Sequence, residues 1–175
     1  HYNYQINIKR LVNIINYKKI NILDFGCGKG LWPEKVTTTD KINKIILYDN
    51  EPNLIPLLKQ KYKSKKFEIN FSLDKILKKK KYNVIIFSSV IQYISHTNFN
   101  KLLKKLTNNN QTLIVISDIP FLPKFIEFIL LPFFNIKRFF FVVKLIFSKK
   151  YKNMKYYVYD KKYLNHLKKK YKIKF

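Results

Sequence analysis

The sequence predicts a single α/β domain, doubly wound around a mostly parallel sheet with helices on both faces. Apolar runs of strand length alternate along the chain with stretches in which apolar residues recur at helical spacing. The runs are apolar throughout, which is typical of strands that a parallel sheet buries on both faces. The length of 175 residues and the 47% of hydrophobic residues suit one substantial core, so we interpret residues 1–175 as one domain.

Strands and helices alternate through the first half of the chain. Pro56 is an awkward interior residue of its predicted helix, because proline removes a backbone hydrogen bond there. In order, the pattern predicts a helix over 4–16, a strand over 21–25, a short helix over 31–36, a strand over 44–48, a helix over 52–62, a strand over 67–71 and a helix over 73–79.

The second half begins with the most strand-like run of the sequence, residues 83–88, and later contains an aromatic stretch, residues 119–147. The aromatic stretch is interpreted either as a lid over the site or as a helical insertion at a membrane surface, with its phenylalanines in lipid. The other predicted elements are a helix over 99–106, a turn over 108–110, a strand over 112–117, an extended segment over 156–159, a helix over 161–170 and the beginning of a strand at 172–175.

All 3 glycines of the chain, Gly26, Gly28 and Gly30, fall within a few residues directly after the first predicted strand. Glycine allows backbone conformations and close approaches that other residues do not. In an open parallel sheet, ligands bind at the carboxyl ends of the strands, where helix amino-termini also present free N–H groups. The cluster therefore predicts a nucleotide-type ligand.

The spacing of the glycines argues against two common nucleotide-binding loops. A dinucleotide fingerprint would place its third glycine at position 31, which is Leu31, and Asp24 is acidic where such strands carry a small or apolar residue. A phosphate-binding loop of the type G-x-x-x-x-G-K-[ST] has no match in the chain.

The segment from Asp24 to Gly30 (DFGCGKG) resembles motif I of the class I S-adenosylmethionine-dependent methyltransferases, which have a Rossmann-like sheet. The resemblance continues over about residues 4–118, with 82–89 similar to the family's fourth strand, 90–94 to the turn that lines cofactor and substrate, and 112–118 to its fifth strand. Within the family, the similarity is to small-molecule and sugar O-methyltransferases.

The resemblance implies S-adenosylmethionine as cofactor and a set of residues that hold it. Asp49 closes the second strand, where the family carries an acidic residue on the ribose hydroxyls. Asp74 is favoured over Ser72 for the contact to the adenine amino group. The cofactor-binding residues implied in this way are Asp24, Gly26, Cys27, Gly28, Gly30, Asp49, Asp74 and Ser88.

Several of these residues also have purely structural interpretations. Asp49 could cap the helix that begins at Pro52, and Asp74 could serve as an amino-terminal helix charge. Cys27 is interpreted as a small filler of the loop, because no basic neighbour in the sequence would activate its thiol. As the only cysteine, it also excludes an internal disulfide framework.

An oxygen acceptor of sugar type requires a general base. His96 is the first candidate and Asp118, at the end of the fifth predicted strand, is the second. A single carboxylate is a poor metal site, so no metal is expected. We expect methyl transfer to an oxygen of a small-molecule or glycan acceptor; the alternatives are an RNA methyltransferase or a non-catalytic membrane-surface module on this scaffold.

The formal net charge of +26 bears on partners and location. Only Arg10 and Arg138 are arginines, and specific phosphate and base recognition depends heavily on arginine. Codon bias in an A/T-rich genome explains the lysine excess as well as selection for a polyanion does. We expect non-specific association with nucleic acid, association with anionic membrane surfaces, and a cytoplasmic location at the inner membrane face.

The chain begins at His1 and ends at Phe175, where a sixth strand has barely begun. In the proteins that it resembles, a seventh, antiparallel strand inserts beside the sixth. We therefore expect the sheet to lack this final strand, and we interpret the sequence as a truncated product or a fragment. The alternative is that the aromatic stretch covers the vacant edge.

Overall fold

The computed structural model describes residues 18–30, 40–79, 82–107, 112–118, 157, 159–171 and 173–174. The predicted helices over 4–16 and 31–36, the turn over 108–110 and the aromatic stretch lie outside these residues. Among the helices described, none is long and apolar enough to cross a membrane.

The described part of the chain forms one sheet of six strands, and every neighbouring pair is parallel. The strand order is β3-β2-β1-β4-β5-β6, so the direction of winding reverses between β1 and β4. No antiparallel strand is present among the residues described. The strands are β1 (Ile20–Phe25), β2 (Ile42–Tyr48), β3 (Phe67–Asn70), β4 (Val84–Ser88), β5 (Leu113–Ser117) and β6 (Ile173–Lys174).

Within the described residues, four α-helices and two short 3-10 turns connect these strands. The turns are Pro52–Leu54 and Ile91–Tyr93, and the helices are α1 (Ile55–Lys61), α2 (Leu73–Lys79), α3 (His96–Leu106) and α4 (Lys161–Tyr171).

The helix predicted over 52–62 is divided in the structure, and Pro56 explains why. Pro52–Leu54 forms the 3-10 turn, and α1 begins at Ile55. Pro56 therefore lies in the first turn of α1, where its missing N–H has no intrahelical partner to lose. The expectation that Pro56 is an interior helical residue is wrong.

The helix predicted over 99–106 begins three residues earlier, at His96. Ser95 is its N-cap: the Ser95 hydroxyl accepts a hydrogen bond from the N–H of Asn98 at 3.2 Å. This bond satisfies one of the amide groups that a helix start leaves unpaired, so the helix starts before its first buried residue, Phe99.

The core consists of two apolar layers, one on each face of the sheet. Helices α2, α3 and α4 cover one layer, and α1 covers part of the other. Consecutive strand residues belong to opposite layers: Ile22 and Ile86 face α1, while Leu23 and Ile85 face the other three helices. This explains the continuously apolar strands and confirms the doubly wound α/β fold.

Candidate active site

A cavity of about 1050 Å³ lies at the carboxyl ends of the strands, beside the point where the strand order reverses. This is where open α/β sheets bind their ligands. Its walls come from the glycine loop (residues 26–30), from the end of β2, from the segment after β4, and from α2 and α3. The lining residues used below are Gly26, Gly28, Asp49, Glu51, Leu73, Ser89, Val90, Tyr93, Asn98, Lys101, Leu102 and Lys105.

Gly28 presents bare backbone to the cavity. Its φ is +53°, in the left-handed region that favours glycine, and a Cβ added there would have no atom within 4 Å. Its N–H donates a hydrogen bond to Oδ2 of Asp49 at 2.8 Å. The open space over Gly28 is therefore available to a ligand that approaches the backbone closely.

The other two glycines make room for neighbouring protein atoms. A Cβ on Gly26 would lie 2.9 Å from Cβ of Val90, in the segment after β4. A Cβ on Gly30 would lie 3.1 Å from Leu58 in α1, and the Gly30 carbonyl accepts a hydrogen bond from the Tyr62 hydroxyl at 2.6 Å. These two positions let the loop pack between the segment after β4 and α1.

The Asp49 carboxylate connects the glycine loop to the end of β2. Besides the bond from Gly28, its Oδ1 accepts the N–H of Glu51 at 3.0 Å, directly before the turn at Pro52. The N-cap of that turn is Glu51, with no side-chain cap hydrogen bond, so Asp49 orders the segment before the turn instead of capping it. A carboxylate has about four acceptor positions, so both oxygens keep capacity for a ligand's hydroxyl groups.

Asp24 and Cys27 lie behind the loop. Asp24 is buried in β1, and the Cys27 thiol packs against the layer on the α1 side. Burial, followed by the negative charges of Asp24 and Asp49, raises the pKa of the Cys27 thiol far above its usual range. A thiol that stays protonated is a poor nucleophile, which agrees with the interpretation of Cys27 as a filler.

Ser88 and Asp118 meet at the ends of β4 and β5, where the Ser88 hydroxyl donates to Oδ2 of Asp118 at 3.0 Å. Ser89 and Asp118 have φ of +53° and +54°, and among the described residues they are the non-glycine positions with positive φ. The Gln92 side-chain amide donates to the Ser89 carbonyl at 2.7 Å. Such strained backbone persists where the surrounding structure holds it, and it clusters at functional sites.

His96 and Asp74 do not line the cavity. The His96 ring stacks on Tyr163 of α4, with ring centroids 4.4 Å apart, and its edge meets Tyr159. Asp74 is exposed in the first turn of α2, while the preceding residue, Leu73, does line the cavity. Of the predicted site residues, the structure brings Gly26, Gly28 and Asp49 together at the cavity wall. The others are not among the lining residues: Asp24, Cys27, Gly30, Asp74, Ser88, His96 and Asp118.

One wall of the cavity was not predicted from the sequence, and it is formed by Asn98, Lys101 and Lys105 of α3. Their spacing of three and four residues places them on one face of the helix, beside the buried residue Leu102. The spacing is visible in the sequence, but lysines at helical intervals ordinarily mark a solvated face. The position of α3 beside the cavity is what distinguishes them.

Residues 1–129 match the family model described as a methyltransferase domain, which is more than half of the chain. The fold and the glycine loop define an α/β protein with a nucleotide-type site, and this match makes the class specific: the chain belongs to the methyltransferase domain family. It is an enzyme of the S-adenosylmethionine-dependent class.

A solved methyltransferase domain shares the fold, and a second methyltransferase is similar over a smaller part of the chain. The methyltransferase domain of the bacterial protein CtHen1-C is similar at a TM-score of 0.62 and 14% identity, over 96% of this chain and 83% of that chain. The N-methyltransferase NodS from Bradyrhizobium japonicum, solved with S-adenosyl-L-homocysteine, is similar at a TM-score of 0.49 and 18% identity, over 61% of this chain and 54% of that chain. No curated protein sequence matches the chain.

The cavity wall fits the cofactor of this family, S-adenosylmethionine. Gly28 leaves open space at its backbone, and Asp49 keeps acceptor capacity beside it. The acidic residues Asp49 and Glu51 at this end also suit a cofactor that carries positive charge on its sulfonium.

Proposed function

We propose that the chain transfers a methyl group from S-adenosylmethionine to an oxygen of a small-molecule or glycan acceptor. The observation that carries this proposal is one continuous cavity that extends from Gly28 and Asp49 to the segment after β4 and to α3. Its volume of about 1050 Å³ is at the upper end of the range of ligand pockets, roughly 300–1,000 Å³. Such a cavity can hold an acceptor beside the cofactor.

The cofactor end consists of Gly28 and Asp49, supported by the residues packed behind them. The Gly28 backbone would lie against the cofactor, and the Asp49 carboxylate would accept hydrogen bonds from the ribose hydroxyls. Gly26, Cys27 and Gly30 hold the loop in place. When bound, the cofactor supplies a methyl group already activated on a sulfonium, so the chain chiefly orients the acceptor and excludes water.

Asp118 is the proposed general base. Its carboxylate lies at the carboxyl end of β5 and accepts the Ser88 hydroxyl, which fixes its orientation. A carboxylate in this place can take the proton of an acceptor hydroxyl. Neither Asp118 nor His96 is among the residues that line the cavity. Asp118 directly follows Ser117, whose carbonyl accepts the N–H of the cavity-lining residue Ser89 at 3.1 Å. His96 is the less favoured candidate, because its ring is stacked on Tyr163 of α4.

An RNA acceptor is the second candidate, supported by the net charge of +26. The scarcity of arginine argues against it.

We also propose a membrane-surface location in the cytoplasm. The net positive charge supports it, together with the basic residues Lys137, Arg138 and Lys144 within the aromatic stretch.

A methyl-transfer assay tests the acceptor class. The enzyme is incubated with S-adenosylmethionine labelled in its methyl group and with total RNA, a cell-envelope extract or a small-metabolite extract. We expect the label in the envelope or metabolite fraction. The labelled methyl group should be released from the product only under conditions that cleave methyl ethers. Label confined to RNA and removed by ribonuclease would instead establish the second candidate. Two single variants, Asp118→Asn and Ser88→Ala, remove the carboxylate and its hydrogen-bond donor in turn. Each should lose most of this activity while retaining cofactor binding.

A further inference from the structure

The two ends of the cavity carry opposite charge. Asp49 and Glu51 line the end near β2, and Lys101 and Lys105 line the end formed by α3. The chain has 10 acidic residues against 36 lysines and arginines, so two carboxylates on one wall are unusual for its composition. Charge separation of this kind orients a ligand that has charged groups at different positions.

Lys101 and Lys105 are one helical turn apart, and Asn98 precedes them on the same face. Leu102 lies buried between them, so the two lysines flank an apolar floor. Lys101 and Lys105 are both exposed on α3. Both ammonium groups can therefore meet an anion.

Two of the exposed residues that line the cavity, Leu73 and Tyr93, offer apolar surface. The side chains of Leu73 and Tyr93 are 39% and 42% exposed to solvent. Among the described residues, Leu57 on α1 is the other large apolar residue that is exposed to a similar extent. An exposed leucine and tyrosine beside a concave site favour contact with the flat or aliphatic part of a ligand.

From this arrangement we propose that the acceptor is a small organic anion. Its apolar or planar body lies against Leu73 and Tyr93, and its carboxylate, phosphate or sulfate group binds Lys101 and Lys105, with the Asn98 amide as a further donor. This inference rests on the proposed function, because it assigns the acceptor end of the same cavity.

The test uses a probe with this chemistry, 8-anilinonaphthalene-1-sulfonate, which joins an aromatic body to an anionic group. Its fluorescence is titrated with the full chain in the presence of saturating S-adenosylhomocysteine. N-phenyl-1-naphthylamine, which has the same rings without the sulfonate, is titrated in parallel. The variant is Lys101→Gln/Lys105→Gln. The matched control is Lys168→Gln/Lys169→Gln on α4, which removes the same charge from exposed lysines outside the cavity wall.

We expect the cavity variant to bind the sulfonate roughly tenfold more weakly, as loss of two solvent-accessible charge contacts implies, and to bind the uncharged probe as before. The control variant should bind both probes like the original chain. Equal weakening in both variants would mean that the overall field of the protein attracts the anion, and it would overturn the proposal. Unchanged sulfonate binding in the cavity variant would overturn it as well. Failure of S-adenosylhomocysteine to bind would instead count against the proposed function.

Discussion

Gly26 and Gly28 have different tasks although they are two residues apart. A methyl group on Gly26 would collide with Val90, whereas on Gly28 it would enter open space. We expect Gly26→Ala to destabilise the fold by about 2–4 kcal/mol, from overpacking plus left-handed strain, and Gly28→Ala by about 1 kcal/mol from the strain alone. Urea unfolding of both variants measures the difference. Equal stabilities would show that Val90 does not constrain the loop.

Asp49 is expected to bind the cofactor as well as the glycine loop. Asp49→Ala should weaken S-adenosylhomocysteine binding by about 1–3 kcal/mol, because charge-assisted hydrogen bonds to the ribose are lost. Glu51→Ala is the control: it keeps the Glu51 N–H that Asp49 accepts and removes a neighbouring charge from the same wall. Isothermal titration compares the two. An unchanged affinity in Asp49→Ala would leave Asp49 with its hydrogen bonds to the Gly28 and Glu51 N–H groups alone.

At the residue scale, the sequence indicated the glycine loop, but not which of its glycines faces the cavity and which contact neighbouring side chains. The concentration of all the glycines at one strand end marked a special backbone. Which glycine faces the cavity depends on Val90, Leu58 and Tyr62, whose approach is a matter of tertiary packing. For the same reason Leu73, instead of Asp74, came to line the cavity.

At the scale of single elements, the strands were predictable because burial on both faces leaves a continuous apolar run in the sequence. The predicted strands at 44–48, 83–88 and 112–117 agree with β2, β4 and β5 within two residues. The helix starts were less predictable, because they depend on single local bonds. The N-cap at Ser95 and the first-turn position of Pro56 decide where α3 and α1 begin.

The Ser95 cap gives a test at this scale. Ser95→Ala should lower the free energy of unfolding by about 1 kcal/mol, since the N–H of Asn98 loses its acceptor. Thr97→Ala, which removes an exposed hydroxyl inside the first turn of α3, is the control and should change stability by less than about 0.5 kcal/mol. Thermal unfolding of the two variants provides the comparison, and equal losses would argue against the cap.

The molecule as a whole combines a methyltransferase fold with a net charge of +26. We expect the chain to float with vesicles that contain anionic lipid at low salt and to remain unbound with neutral vesicles. Replacing Lys137, Arg138 and Lys144 together with glutamine should reduce flotation more than replacing Lys168, Lys169 and Lys170. If both sets reduce it equally, the overall charge and not the aromatic stretch determines membrane association.

The central claim is that the loop around Gly28 holds S-adenosylmethionine. Isothermal titration of S-adenosylhomocysteine into the original chain and into Gly28→Val tests it most directly. A valine there is β-branched at positive φ and fills the open space over the loop, so it should abolish binding while circular dichroism shows an intact fold. One binding site in the original chain and none in the folded variant is the predicted result. Normal binding by a folded Gly28→Val would contradict the account.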